Sequence, residues 1–127
     1  MRRATPNAQR LGHRGEELAA RHAQRLGWHI VARNWRPADR SLRGELDLVA
    51  LDGDELVFCE VKTRSGVGAG EPIAAVSPDK LRQLRRLAAA WLSQDDCGYW
   101  QVRIDVIGVH WPPASVAPTI EHRRDVR

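Results

Sequence analysis

The chain has 127 residues and a formal net charge of +4, a length typical of one domain with a single hydrophobic core. Arginine supplies all of its basic residues except Lys62 and Lys80, and guanidinium groups favour a polyanionic partner such as nucleic acid over an acidic small molecule. No stretch approaches the roughly 18 apolar residues of a membrane-spanning helix, which excludes a protein built from such helices.

Apolar and small residues recur at three- and four-residue steps from Gln9 to about Leu26, which predicts an amphipathic helix. Its predicted buried stripe contains Leu11, Gly15, Leu18, Ala19, His22 and Leu26. Glu16 lies on the flank of this stripe. Gly27 is predicted to end the helix, and residues 28–35 to form a short strand.

Two apolar runs, GELDLVAL and ELVFCEVK, flank Asp52, Gly53 and Asp54 and are predicted to form a hairpin. Apolar residues occur on both faces of these strands, which predicts central positions in a sheet covered by helices. The preceding residues 37–44 are predicted to be a loop. Residues 63–76 contain several glycines and few large apolar residues, so we expect a mobile loop there.

Ser77, Pro78 and Asp79 have the pattern of a helix N-terminus, with a capping serine, a first-turn proline and an acidic residue. The predicted buried stripe of this helix contains Leu81, Leu84, Ala88, Trp91 and Leu92, whereas Arg82, Arg85 and Arg86 lie on the other side. Residues 100–110 alternate as a strand, and a short last strand is expected at 119–122.

The predicted order is therefore helix, three strands, helix, and one or two strands. This order predicts a single α/β sandwich over residues 1–127, in which 1–8 and 112–127 are peripheral tails. Cys59 and Cys97 have no zinc-site spacing. The basic N-terminus also lacks the apolar stretch of a signal peptide. We therefore expect free thiols and a cytoplasmic protein.

The hairpin predicts which polar side chains meet. A two-residue or four-residue turn puts Asp47 on the face that bears Glu60 and Lys62, whereas a three-residue turn puts it on the opposite face. If Leu51 pairs with Leu56, Asp47 lies opposite Glu60 with the two Cβ atoms roughly 5 Å apart. Two carboxylates that close repel each other unless a proton or a cation lies between them, and a divalent cation prefers such oxygen ligands.

The Glu60-x-Lys62 pair has two interpretations. It is an ion pair at the end of a strand, or it is half of a metal-dependent phosphodiesterase site, in which the ammonium orients water and absorbs charge on phosphorus. Glu45 competes with Asp47, because in a regular strand it shares the same face one pair further out. It could supply a second-metal or supporting carboxylate.

Several motifs together closely resemble the bacterial YraN family of largely uncharacterised small proteins. They are GHRGE (12–16), RNWR (33–36), GELDLVA (44–50), VFCEVKTR (57–64) and the helix led by Lys80. The resemblance covers about residues 11–109. That family is similar to the PD-(D/E)xK nuclease superfamily, which has the restriction-endonuclease-like fold, and within it to archaeal Holliday junction resolvases. Leu46 stands where the superfamily's name has proline.

The resemblance implies a mixed β-sheet flanked by helices and a Mg²⁺ or Mn²⁺ site. It implies that this site contains Glu16, Asp47, Glu60 and the backbone carbonyl of Val61, with Lys62 as the catalytic lysine. Basic residues predicted to bind nucleic acid border the site or lie on the helix after it; they are Arg33, Arg36, Arg43, Arg64 and Lys80. A solvated surface is the alternative for each of them.

Other candidate residues are assigned more simply. Trp35 either stacks on an exposed base or fills the core. The five histidines have no ligand spacing and are expected to be structural or exposed. Asp105 is expected to buttress the sheet or to pair with an arginine.

The leading hypothesis is a Mg²⁺- or Mn²⁺-dependent endonuclease that hydrolyses phosphodiester bonds in DNA, including branched or damaged DNA. The alternative is a nucleic-acid-binding or adaptor module that has the nuclease fold without independent catalytic activity. A basic structural protein is a third interpretation. By analogy with junction resolvases, a homodimer is plausible.

Overall fold

A computed structural model describes residues 6–66, 72–94, 98, 101–113 and 117–127. Two helices and five strands follow one another along the chain: α1 (Pro6–Arg25), β1 (His29–Trp35), β2 (Leu46–Asp52), β3 (Glu55–Ser65), α2 (Pro78–Gln94), β4 (Gln101–Trp111) and β5 (Thr119–Arg123). This order confirms the predicted α/β architecture. No helix in the described ranges is both long and apolar enough to cross a membrane.

The strands form one sheet in the order β1-β2-β3-β4-β5. β3 and β4 are parallel and are joined through α2, whereas the other neighbouring strands are antiparallel. The mixed sheet is consistent with the restriction-endonuclease-like sandwich that the resemblance implies. β2 and β3 lie inside the sheet, and each contains a run of five buried residues, which confirms the prediction from their two-sided apolar pattern. β4 also lies inside the sheet.

Each face of the sheet is covered by one helix. Three small residues of α1, Ala19, Ala20 and Ala23, pack on one face, whereas α2 packs on the other through leucines and Trp91. A Cβ atom added at Gly15 would collide with the side chain of Thr63, so glycine lets α1 approach the end of β3 closely. This approach brings Glu16, the next residue of α1, to the end of the sheet.

The helix signals in the sequence are confirmed at three points. Gly27 adopts a left-handed φ of 88° after α1, and Ser77 caps α2, because its Oγ accepts a hydrogen bond from Lys80 N at 3.1 Å. The exposed side of α2 carries Arg82, Arg85 and Arg86 as predicted. Leu26 was wrongly placed in the buried stripe: it is 42% exposed, because α1 ends at Arg25 and the chain turns at Gly27.

The predicted mobile loop over residues 63–76 is wrong at its start, where residues 63–65 belong to β3. β3 continues through Thr63 and Arg64 to Ser65, because parallel pairing with β4 extends that far. Ile73 and Ala74 are buried against the sheet. Residues 67–71, which hold two of the glycines behind that prediction, lie outside the described residues.

The core interpretations of Trp35 and Cys59 fit the structure. Trp35 packs edge to face against Trp91, with ring centroids 5.3 Å apart. Cys59 is a buried free thiol, whereas Cys97 lies outside the described residues. Residues 112–127, which we expected to be a peripheral tail, supply the edge strand β5 and a further backbone contact, from Val126 N to Ile104 O at 2.8 Å.

A buried polar cluster joins α1, β4 and β5. The Asp105 side chain accepts a hydrogen bond from Arg103 Nε at 3.0 Å, and its Oδ2 lies 2.8 Å from His122 Nε2. His122 Nδ1 in turn lies 3.0 Å from Nε2 of His22 in α1. We call these four residues the Asp105 cluster. The prediction that Asp105 pairs with an arginine is confirmed.

Candidate metal centre

The hairpin register decides where Asp47 lies. Leu51 pairs with Leu56, and Leu48 with Cys59, across a tight turn in which Gly53 has a φ of 63°. Because side chains alternate along a strand, this register puts Asp47 beside Glu60 on the α2 face of the sheet. The predicted juxtaposition of these two carboxylates is therefore present.

The two carboxylates are almost completely buried: Asp47 is 7% exposed and Glu60 is 9% exposed. Burial, followed by the negative charge of Glu60, raises the pKa of Asp47 to about 9, although a hydrogen bond from Val61 N to Asp47 Oδ2, 2.7 Å long, acts in the opposite direction. Without a cation, a proton therefore remains on this pair at neutral pH. A divalent cation could replace that proton.

Two further carboxylates meet Asp47. Oxygen atoms of Glu16, Glu45 and Asp47 lie within 4.8 Å of one another, and we call this group the carboxylate cluster. Glu16 arrives from α1, and Glu45 immediately precedes β2. One carboxylate from α1 and two from around the start of β2 supply the hard oxygen donors that Mg²⁺ and Mn²⁺ prefer, so the residues present fit such an ion.

Asn34 holds two of these carboxylates in place. Its Nδ2 donates to Glu16 Oε2 at 3.0 Å and to Glu45 Oε1 at 3.3 Å. Asn34 belongs to β1 but has a φ of 50°, a conformation unusual for a residue with a side chain. The sequence interpretation missed this residue, although an asparagine between a tryptophan and an arginine in a predicted strand is a weak signal of an irregular backbone.

Glu60 and Lys62 interact with different partners. Glu60 Oε2 lies 3.1 Å from Nζ of Lys80 and forms an ion pair with it. The two groups are not aligned as a hydrogen bond, and Oε2 has no hydrogen-bond partner among the described residues. Lys62 Nζ donates to the carbonyl oxygen of Ala75 at 2.5 Å. The lysine that contacts Glu60 is therefore Lys80, which we had predicted as a nucleic-acid contact.

Two cavities flank these residues. One has a volume of about 850 Å³, and its charged lining residues are Glu60, Lys62, Lys80 and Arg123. The other has a volume of about 510 Å³ and opens on Glu16, Asn34 and Glu45, among other residues. Glu60 lines the first cavity, and Glu16 and Glu45 line the second, whereas Asp47 lines neither of the two.

The four arginines predicted to bind nucleic acid have different surroundings. Arg33 pairs with Glu17 at 2.9 Å and Arg36 with Glu45 at 3.2 Å. Arg43 is exposed, and its backbone carbonyl accepts from Gln83 at 3.0 Å. Nε of Arg64 is buried without a hydrogen-bond partner in the described part of the chain. Their role in nucleic-acid binding stays a prediction, as do the catalytic role of Lys62 and the ligand role of the Val61 carbonyl.

Residues 15–109 match the profile of the uncharacterised protein family UPF0102. The chain belongs to this family. It is 49% identical to a UPF0102 protein of Acidothermus cellulolyticus over 124 residues, which cover 90% of each chain. It is 47% identical to one of Nocardia farcinica, over 93% of this chain and 89% of the relative. The YraN proteins are this family, so the resemblance of the motifs is confirmed.

Proposed function

We propose that this UPF0102 protein hydrolyses phosphodiester bonds in DNA with Mg²⁺ or Mn²⁺, including bonds in branched or damaged DNA. The observation that carries the proposal is the burial of Asp47 beside Glu60, with Glu16 and Glu45 converging on the same carboxylate. Uncompensated buried carboxylates cost folding free energy, and a site that binds a cation explains why a protein retains them.

Asp47, Glu16 and Glu45 would hold the cation, with Glu60 beside them. The resemblance adds the Val61 carbonyl to this set. A divalent ion bound there supplies Lewis acidity at a phosphate oxygen and lowers the pKa of water.

The protein's own groups have three tasks at this site. Asn34 fixes the orientation of Glu16 and Glu45 through its amide. Lys80 and Lys62 line the adjoining cavity, where ammonium groups balance the negative charge that develops on phosphate oxygens. Because Asp47 and Glu60 are buried on the face that α2 covers, bulk water screens their interactions less than it would at the surface.

The test is a cleavage assay with four-way junction, flap, single-stranded and duplex DNA in Mg²⁺ and in Mn²⁺. We expect cleavage of at least one substrate, and we expect Asp47→Asn and Glu60→Gln each to lower the rate about 100-fold or more. Asp54→Asn makes the same chemical change at an exposed position of the hairpin turn and should cleave at the wild-type rate. Cleavage that survives both site substitutions would come from a contaminant and would contradict the proposal.

A second candidate function is a nucleic-acid-binding or adaptor module without catalytic activity. It is favoured by one observation, the bond of Lys62 Nζ to the Ala75 carbonyl, which occupies the amine predicted to act in catalysis. DNA binding that depends on salt but is indifferent to Mg²⁺ and to Glu60→Gln would support this candidate. The proposal also includes a cytoplasmic location and a homodimer, the latter by analogy with resolvases.

A further inference from the structure

The charged residues that line the larger cavity beside Glu60 are mostly cations. Its charged residues are Lys62, Lys80 and Arg123, which are positive, and Glu60, which is negative. They come from β3, α2 and β5, so the fold assembles this charge from elements far apart in the sequence. A volume of about 850 Å³ is large enough for a nucleotide-sized group.

The sheet register explains how Arg123 reaches this cavity. Glu60 of β3 pairs with Val106 of β4, and Val106 pairs with Arg123 of β5. Paired residues point to the same face, so Glu60 and Arg123 lie in one row, two strands apart, with Cα atoms roughly 10 Å apart. His122, the preceding residue, points to the opposite face and joins the Asp105 cluster.

The segment of residues 72–76 forms one wall of the cavity. A Cβ atom at Gly108 would collide with Ile73, so glycine lets this segment lie directly on β4. Lys62 bonds to the Ala75 carbonyl in the same segment and helps to hold it there. The hydrogen bond to Ala75 thus occupies the ammonium group of Lys62. Lys80 and Arg123 are the cations that we expect to contact a ligand.

These two cations have different acidic partners: Arg123 pairs with the exposed Glu121, and Lys80 pairs with Glu60. Arg123 Nε lies 3.5 Å from Glu121 Oε1, and both side chains are substantially exposed, at 50% and 39%. Exposed ion pairs of this kind contribute little free energy, so a phosphate can displace the carboxylate. Lys80 is 40% exposed and lines the cavity together with Glu60, its partner at 3.1 Å.

We propose that this cavity binds a phosphate group of a nucleic-acid strand through Lys80 and Arg123, adjacent to the phosphodiester attacked beside Asp47 and Glu60. The inference rests on the proposed function. It gives β5 a role in binding nucleic acid, although β5 lies within residues 112–127, which we expected to be a peripheral tail.

The test measures binding without cleavage. Fluorescence anisotropy of fluorescein-labelled duplex and single-stranded DNA, in EDTA and at several salt concentrations, gives both the affinity and its salt dependence. We expect Arg123→Gln to weaken binding about fivefold to tenfold near 0.1 M salt, and to reduce the slope of log K against log salt by about 0.9 for duplex and about 0.7 for single-stranded DNA. Arg123→Lys, which keeps the charge, should retain most of the affinity.

Arg21→Gln is the matched control, because Arg21 is an exposed arginine of α1 that pairs with Glu17. It should leave the affinity unchanged, and thermal melting should show that all variants are folded. Wild-type affinity in Arg123→Gln, or equal losses in Arg123→Gln and Arg21→Gln, would overturn the inference alone. A wild-type protein that cleaves no DNA but loses binding on Arg123→Gln would overturn the proposed function alone. A wild-type protein that neither binds nor cleaves DNA would overturn both.

Discussion

Asp47 and Asp105 are two buried aspartates of the same sheet, 7% and 0% exposed. Asp105 contacts Arg103 and His122, whereas Asp47 lies beside the negative charge of Glu60. Around Asp105 burial alone would raise the pKa, but hydrogen bonds from His122, Arg103 and the Asp125 amide lower it below its ordinary value. Around Asp47 burial and the charge of Glu60 act in the same direction and raise the pKa to about 9.

The two aspartates therefore differ in how their charge is compensated. The Asp105 cluster supplies its own counter-charge and hydrogen bonds, so it needs no ligand to be stable. Asp47 lies among other carboxylates, and a proton or an external cation can balance their charge. A buried carboxyl with a strongly raised pKa is a candidate functional group, and we propose that role for Asp47.

The largest stability change should follow Asp105→Asn. It removes the charge opposite Arg103 and weakens the contacts to His122 and the Asp125 amide. We expect the free energy of unfolding to fall by about 3 kcal/mol, the low end for a broken buried pair, because Arg103 keeps Asp52 at 2.9 Å. Urea unfolding at pH 7 measures this loss. A loss below about 0.5 kcal/mol, the range of the exposed control Asp54→Asn, would remove the distinction between the two aspartates.

Asp47→Asn should change stability in the opposite direction. The amide oxygen can still accept from Val61 N, and folding at neutral pH no longer requires the buried pair to take up a proton, so we expect the metal-free protein to gain about 2 kcal/mol while cleavage is lost.

The pH dependence of unfolding tests the sign of this effect. Because the folded-state pKa of Asp47 lies above its unfolded value of 3.8, the stability of the metal-free wild type should decline as pH rises from about 4 to about 9. Asp47→Asn should remove most of that decline. A variant less stable than the wild type at pH 8 in EDTA would show that Asp47 is a structural residue.

The smallest expected effect concerns His22. Burial, followed by the positive charges of His122, Arg124 and Arg25, lowers the pKa of His22 below 6.5. A lowered folded-state pKa means stability that is present above pH 6.5 and is lost as pH falls through the folded-state pKa. Measured in the Asp47→Asn background, which removes the opposing slope, unfolding should become easier as pH falls below 6.5, and His22→Gln should flatten this trend. An unchanged slope would exclude His22 as its source.

The sequence predicted the parts of the site that depend on local rules. Strand alternation and the turn signal at Gly53 predicted Asp47 beside Glu60 for a two- or four-residue turn but not for a three-residue one, and the observed register decides between them. The motif resemblance added Glu16. Asn34 could not be found in this way, because its role depends on a left-handed φ within β1 and on two carboxylates from other elements.

The positions of Lys80, Arg123 and the two clustered histidines depend on tertiary packing, which sequence patterns do not predict. Lys80 contacts Glu60 because the first turn of α2 lies beside β3, and Arg123 lines the cavity because β5 pairs with β4 in one particular register. The histidines of the Asp105 cluster are separated by 100 residues in the sequence, so no spacing rule could connect them. Leu26 was predicted to be buried because the apolar periodicity extends to it, but the helix ends one residue earlier, at Arg25.

A crystal grown without metal and soaked in Mn²⁺ tests the central claim most directly, because an anomalous difference map reports the ion without knowledge of the substrate. We predict a peak within coordination distance of Asp47 and of at least one of Glu16, Glu45 and Glu60, and its absence from Asp47→Asn crystals treated in the same way. A map with no peak at Asp47, or with its strongest peak at the Asp105 cluster, would contradict the account.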